Sequence, residues 1–203
     1  MSFAAQRIRD ARNHLRRSGE PMREVIRVVG PFTARIRRDR FAALAGAIVG
    51  QQISGKAAQT IWNRLQERLG GRVAPESLRQ FSIDQLRQVG VSRQKATCLL
   101  DLAGAVERGD LVLSTIGRKP DEAVVAELTQ VRGVGRWTAH MFLMFCLGRL
   151  DVLPVDDQGI RTAMRNLHDL CELPGAREME ELATPWRPYA TVASWYLWQW
   201  LDQ

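Results

Sequence analysis

Apolar residues recur along this chain at spacings of three and four, and alternating runs of β-branched residues are absent. That is the pattern of amphipathic helices rather than strands. The spacing predicts helices over 3–17 and 20–29, broken at Gly19-Glu20-Pro21. Residues 40–69 carry one long helical pattern whose middle, GQQISG, is rich in glycine and serine, so it divides into two helices around Gln51–Ser54. Shorter helices are predicted over 75–80, over 83–88 with Ser82 as cap, and over 92–108 with Ser92 as cap. A helix over 120–130 precedes the glycine-punctuated VRGVGRW, and the apolar run WTAHMFLMFCLG predicts a buried helix over 136–147. Asp156 or Asp157 opens a further helix at about 157–168, and helices over 176–183 and 188–202 close the chain. No solenoid repeat and no low-complexity linker interrupts this all-α pattern, so composition marks no domain boundary.

The composition narrows the class. A chain of 203 residues is long enough for one sizeable core or two small lobes. No apolar run approaches the ~20 residues that span a bilayer, and the opening MSFAAQRIRDARNHLRR has no apolar signal core. A cytoplasmic protein with no membrane partner is expected. Cys98, Cys146 and Cys171 are widely spaced and form no CxxC pair, which argues against zinc, an iron–sulfur cluster or a disulfide scaffold. His14, His140 and His168 lack ligand spacing and are read as structural. The net charge of +7 suits a polyanionic partner, because cations on phosphates release condensed counterions. A genome that favours arginine explains the same balance, since Lys56, Lys95 and Lys119 are the only lysines. Charge thus permits nucleic-acid binding without establishing it.

The hairpin LTQVRGVGRWTA, residues 128–139, is more informative. One helix ends near Gln130, two glycines make a tight turn, and another helix begins near Arg136. Glycine permits positive φ and leaves backbone amides uncovered, and unpaired amides at a helix start bind anions. Gly133, Gly135 and Thr138 are therefore candidates to hold a phosphate through the main chain, with Arg132 and Arg136 as flanking cations. An ordinary helix–turn–helix corner would show the same two glycines. About twenty residues further on, GRLDVLPVDDQGIRTAM places two aspartates at the start of a helix. A single N-cap aspartate would be worth roughly 1 kcal/mol. Two adjacent ones point ~100° apart, so one can cap while the other faces a cleft.

Hairpin, apolar helix and acid together resemble the helix-hairpin-helix–Gly/Pro–Asp superfamily of DNA glycosylases, whose hairpin is written LPGVGxxTA. Arg132 stands where that motif commonly has proline. The resemblance implies that Asp157, the last acid before the helix, is catalytic, with Ile160 three positions on and Asp156 its structural neighbour. A carboxylate suits the reaction, because breaking an N-glycosidic bond builds positive charge on the sugar and needs an oriented water. It also implies a monovalent Na+ or K+ held at the hairpin by the carbonyls of Thr129, Val131 and Val134, with no other cofactor required.

Position 137 separates the branches. Members that also cleave the strand carry a lysine there for Schiff-base chemistry, and this chain has Trp137. Trp137 with LPVDDQGIR, GQQIS and the tail TPWRPYATVASWYLW resembles the 3-methyladenine DNA glycosylase II family from about residue 25 onward, without the β-rich N-terminal lobe some of these enzymes have. By that resemblance Trp137 and Trp195 line the base pocket, where aromatic faces attract a positively charged alkylated purine. Gln51 lies near the pocket, and Met141 stands where some relatives have tyrosine. By the same resemblance Gln52, with Ile53 next in line, is the wedge that fills the gap left by a flipped base; an exposed polar kink is the plainer reading of Gln51 and Gln52. Trp186, Trp198 and Trp200 are read as core packing.

The expected architecture is an all-α, two-lobed helix-hairpin-helix glycosylase fold. Residues 40–150 form the hairpin lobe, 1–39 and 151–203 the other, and the active site lies in the cleft between them. The expected function is hydrolytic removal of alkylated purines such as 3-methyladenine and 7-methylguanine from double-stranded DNA by a bacterial-type monomer, associated with the nucleoid when bound. A glycosylase for deaminated, oxidised or mismatched bases is one alternative. A non-catalytic hairpin module that binds distorted duplex is another.

Overall fold

The computed structural model describes residues 3–203, and among them thirteen α-helices and one 3-10 helix account for all the regular elements. The helices are α1 (Ala5–Arg17), α2 (Glu20–Val29), α3 (Arg40–Gly50), α4 (Gly55–Arg68), α5 (Pro75–Leu78), α6 (Ile83–Gln88) and α7 (Arg93–Glu107). They continue with α8 (Leu113–Ile116), α9 (Asp121–Leu128), α10 (Arg136–Phe145), α11 (Gln158–Leu167) and α12 (Ala176–Ala183). The 3-10 turn Thr184–Trp186 and α13 (Ala190–Leu201) complete the order. Their starts follow local chemistry: Asp39, Ser54, Ser82, Ser92 and Asp157 each accept a hydrogen bond from a backbone N–H of the first turn. Ser82 and Gln85 form a full capping box.

Two elements escape the periodicity. Leu113–Ile116 is one turn long and Thr184–Trp186 shorter still, too brief for a 3.6-residue repeat to show. The last helix begins at Ala190 rather than at 188, because Tyr189 (φ −128°, ψ 31°) lies outside helical geometry as its N-cap.

The chain forms two compact units, one of Met1–Ile36 with Leu143–Gln203 and one of Arg37–Phe142. The first is built around α13, on which every residue from Ala190 to Leu197 is buried. Helices α1, α2 and α11 pack against α13. Phe32, Trp195 and Tyr196 make an aromatic cluster, with the Phe32 and Trp195 ring centroids 4.6 Å apart. The Tyr196 hydroxyl donates to the Gly30 carbonyl at 3.0 Å, which satisfies the one polar atom of a fully buried ring.

The segment leading to Asp157 is tied to this helix. Thr191 N–H donates to the Leu150 carbonyl, the Val152 N–H donates to Thr191 Oγ1, and Thr191 Oγ1 donates to the Arg149 carbonyl. The Asp151 carboxylate accepts from the Ala190 N–H at 3.2 Å and from Arg187 at 3.1 Å.

In the second unit, α7 is central, with α3, α5 and α6 packed on it. Its buried face runs from Ala96 through Cys98, Leu99 and Leu102 to Ala105. Helix α3 contributes Phe41, Leu44, Ala45, Ile48 and Val49.

Candidate active site and hairpin

The hairpin is closed by its own backbone. Val131 N–H donates to the Leu128 carbonyl, Val134 N–H to the Val131 carbonyl, and Ala139 N–H to the Gly135 carbonyl as α10 begins. The two glycines do different work. Gly133 has φ +80°, and a Cβ there would overlap the Cys98 Sγ and come within 2.7 Å of the Cys98 Cβ. Burial pushes the Cys98 thiol up, the Asp101 charge adding to the shift and Arg132 opposing it, so it packs beneath the turn as a neutral group. Gly135 meets nothing within 4 Å and its φ is not left-handed. The fold therefore makes no demand for glycine at 135, and what its missing side chain leaves open is the outer surface. Arg132, Gly133, Gly135 and Arg136 are all exposed there.

Thr138 differs from its neighbours. It is only 1% exposed, and its hydroxyl accepts the Gln51 amide at 2.9 Å. Gln51 also donates to the Gly133 carbonyl at 2.9 Å. Through these two bonds Gln51 is a strut that joins the 51–54 loop to the hairpin. Beside it Gln52 is exposed with φ +56°, and Ile53 is 37% exposed. A left-handed glutamine is disfavoured by roughly 1–2 kcal/mol, so the loop is held in this shape by its surroundings.

Lys95 supplies part of that hold, and sequence reasoning missed it. Its ammonium donates to the Val49 carbonyl at 2.8 Å and the Gln51 carbonyl at 2.7 Å, at the end of α3, and burial lowers its pKa. A signal existed: Lys95 lies in the first turn of α7, where the helix dipole disfavours a cation. Its amine instead serves carbonyls left unpaired at the other helix's C-terminus. On α10, Trp137 and Met141 are both half-buried and stand one turn apart on one face.

Asp157 is 9% exposed. Its backbone N–H turns back to the Pro154 carbonyl at 2.9 Å, and its Oδ1 accepts the Ile160 N–H at 2.8 Å as the cap of α11. Two aspartates were expected to divide the work, one capping and one facing a cleft. The structure corrects this: Asp157 is both the cap and the buried acid, and Asp156 is exposed.

Trp198 packs against the core, as expected, and does more. Its indole N–H donates to the same Oδ1 of Asp157 at 2.9 Å. No spacing announced this pair, since forty-one positions separate the two residues. Trp186 is buried and stacked beside His168, and Trp200 packs at the edge of the same core. Trp195 is buried against Phe32 and Tyr196 in the unit that holds Asp157. Trp137, Met141 and Gln51 belong to the unit that holds the hairpin.

A closed two-glycine hairpin between two helices, and a buried aspartate at a helix start after a proline loop, are the marks of a helix-hairpin-helix protein. The chain belongs to the HhH-GPD superfamily of base excision DNA repair proteins, whose sequence profile matches residues 45–188. It is 32% identical to DNA-3-methyladenine glycosylase 1 of Schizosaccharomyces pombe, over 92% of this chain and 84% of that one. The structure of the S. pombe 3-methyladenine DNA glycosylase Mag1 in complex with abasic DNA superimposes with a TM-score of 0.86 over 93% of this chain and 95% of that one, at 32% identity. A DNA-3-methyladenine glycosidase from Bacillus halodurans superimposes with a TM-score of 0.78 at 34% identity, over 95% and 89% of the two chains.

Proposed function

We propose that the protein is a DNA glycosylase of base excision repair that hydrolyses the N-glycosidic bond of alkylated purines, of the 3-methyladenine and 7-methylguanine kind. One observation carries the chemistry: the Asp157 carboxylate is buried and fixed by two N–H donors on one oxygen. An oriented anion of this kind stabilises the positive charge that grows on the sugar as the bond breaks. It also accepts a hydrogen bond from the attacking water, whose oxygen bonds to the anomeric carbon as the base departs with the bonding electrons. An alkylated purine carries its own positive charge, so it leaves without a general acid. Purified protein releases methylated purines from alkylated duplex DNA, and Asp157→Asn lowers release by at least about a hundredfold while duplex binding persists. Wild-type release by that variant, measured by chromatography of the free bases, would overturn the reading.

Trp137 has no amine to form a Schiff base, and Lys95 is committed to the Val49 and Gln51 carbonyls. The product is then an intact strand with an abasic site, nicked only after added alkali. The protein is read as a monomer that binds double-stranded DNA. Gly133, Gly135, the Thr138 N–H, Arg132 and Arg136 meet the backbone, Gln52 or Ile53 fills the gap, and Trp137, Trp195 and Met141 meet the base. The carbonyls of Thr129, Val131 and Val134 suit a monovalent cation, since Thr129 follows the end of α9, where carbonyls lack helical partners, and hard cations take oxygen ligands. A cytoplasmic location at the nucleoid accords with this activity, and no helix among the described residues is long and apolar enough to cross a membrane.

A further inference from the structure

We infer that Trp198 is a positioning residue for the reaction, which sets the orientation of the Asp157 carboxylate through its indole N–H, and that Gly159 is glycine to let the two meet. This rests on the glycosylase reading above.

An N-cap bond alone leaves a carboxylate free to rock about its Cβ–Cγ bond, because one donor fixes one oxygen along one direction. Here the Ile160 N–H at 2.8 Å and the Trp198 Nε1–H at 2.9 Å both point at Oδ1. Two donors from different elements fix the plane of the group as well as its place. The indole itself is held, tilted against the Phe145 ring with centroids 6.0 Å apart. Trp198 lies seven residues, about two turns, beyond Thr191, so the two lie near one face of α13. Thr191 binds the start of the loop at Arg149, Leu150 and Val152, and Trp198 binds its end at Asp157. The loop that delivers the acid is thereby anchored to a single buried helix at both ends.

Gly159 completes the arrangement. A Cβ at that position would lie 3.1 Å from Asp157 Oδ1 and 3.3 Å from both Cδ1 and Nε1 of Trp198. Those are the two atoms' own meeting place. Alanine there would push the indole and the carboxylate apart by a few tenths of an ångström, although helix propensity favours alanine over glycine. Helix stability and acid placement thus make opposite demands at residue 159.

The test measures single-turnover release of 7-methylguanine, affinity for a duplex with a stable abasic-site analogue, and Tm. Three variants are compared with wild type and Asp157→Asn. Trp198→Phe removes the donor, and benzothienylalanine at 198 replaces the indole N–H by sulfur while keeping ring size. Gly159→Ala leaves both partners and crowds them. The expected result is a rate loss of roughly tenfold to a hundredfold in all three, the range for one hydrogen bond to a charged group. Duplex affinity is unchanged in all, and the benzothienylalanine and Gly159→Ala proteins remain fully folded at the assay temperature, with a fall in Tm no larger than the loss of one hydrogen bond gives. A wild-type rate with benzothienylalanine, or a rate loss matched by lost affinity or lost folded protein, would overturn the inference while wild-type and Asp157→Asn behaviour still upheld the glycosylase reading. Failure of the wild type to release base removes both.

Discussion

Two glycines two positions apart in the hairpin carry different constraints, and substitution separates them. Gly133 combines φ +80° with contact against Cys98, so Gly133→Ala is expected to destabilise by about 2–4 kcal/mol through overpacking and left-handed strain. Gly135 meets no neighbour, so Gly135→Ala should change stability by no more than about 0.5 kcal/mol yet weaken duplex binding. Denaturation midpoints and duplex affinities at one fixed salt concentration decide the matter. Equal losses of stability in the two variants would contradict the division. The sequence shows both glycines but not which one packs, because that depends on Cys98, thirty-five residues earlier.

At the scale of elements, the 51–54 loop and the hairpin behave as one piece. Gln51 ties the loop to Gly133 and Thr138, while Lys95 ties it back to α7. Lys95→Met strips a donor from two carbonyls and is expected to lower stability by about 1–3 kcal/mol. With Gln51→Ala it should show a coupling of at least about 0.5 kcal/mol in a double-mutant cycle, since both hold the same strained segment. Strict additivity would mean that the anchors act independently. Most helices were legible because their signals are local: the break at Gln51–Ser54 and the caps at Ser82 and Ser92 fall where the sequence places them. What holds the break open was not legible, since an ammonium reaching the end of another helix leaves no periodic trace.

At the scale of the whole molecule, pH links one half-buried ring to the stability of the core. His168 stacks beside Trp186, and burial lowers its pKa from the ordinary value of 6.5. In the unfolded chain the imidazole takes its proton near 6.5, while in the folded core it stays neutral to lower pH. The stability this contributes is fully present above 6.5 and is lost as pH falls through the folded value. His168→Phe keeps a ring against Trp186 and should flatten the fall in denaturation midpoint between about pH 7 and 5; an unchanged slope would place the titration elsewhere.

By itself the sequence determined the all-helical class, most helix limits, the glycine hairpin and an acid at the head of α11, because periodicity, caps and turn residues act within a few positions. The tertiary structure alone decided that Asp157 is cap and acid at once, that Gln51 is a strut, and that Trp198 serves a carboxylate rather than only filling the core. Those roles are hydrogen bonds between residues distant along the chain, and only the packing of helices brings a donor to its acceptor.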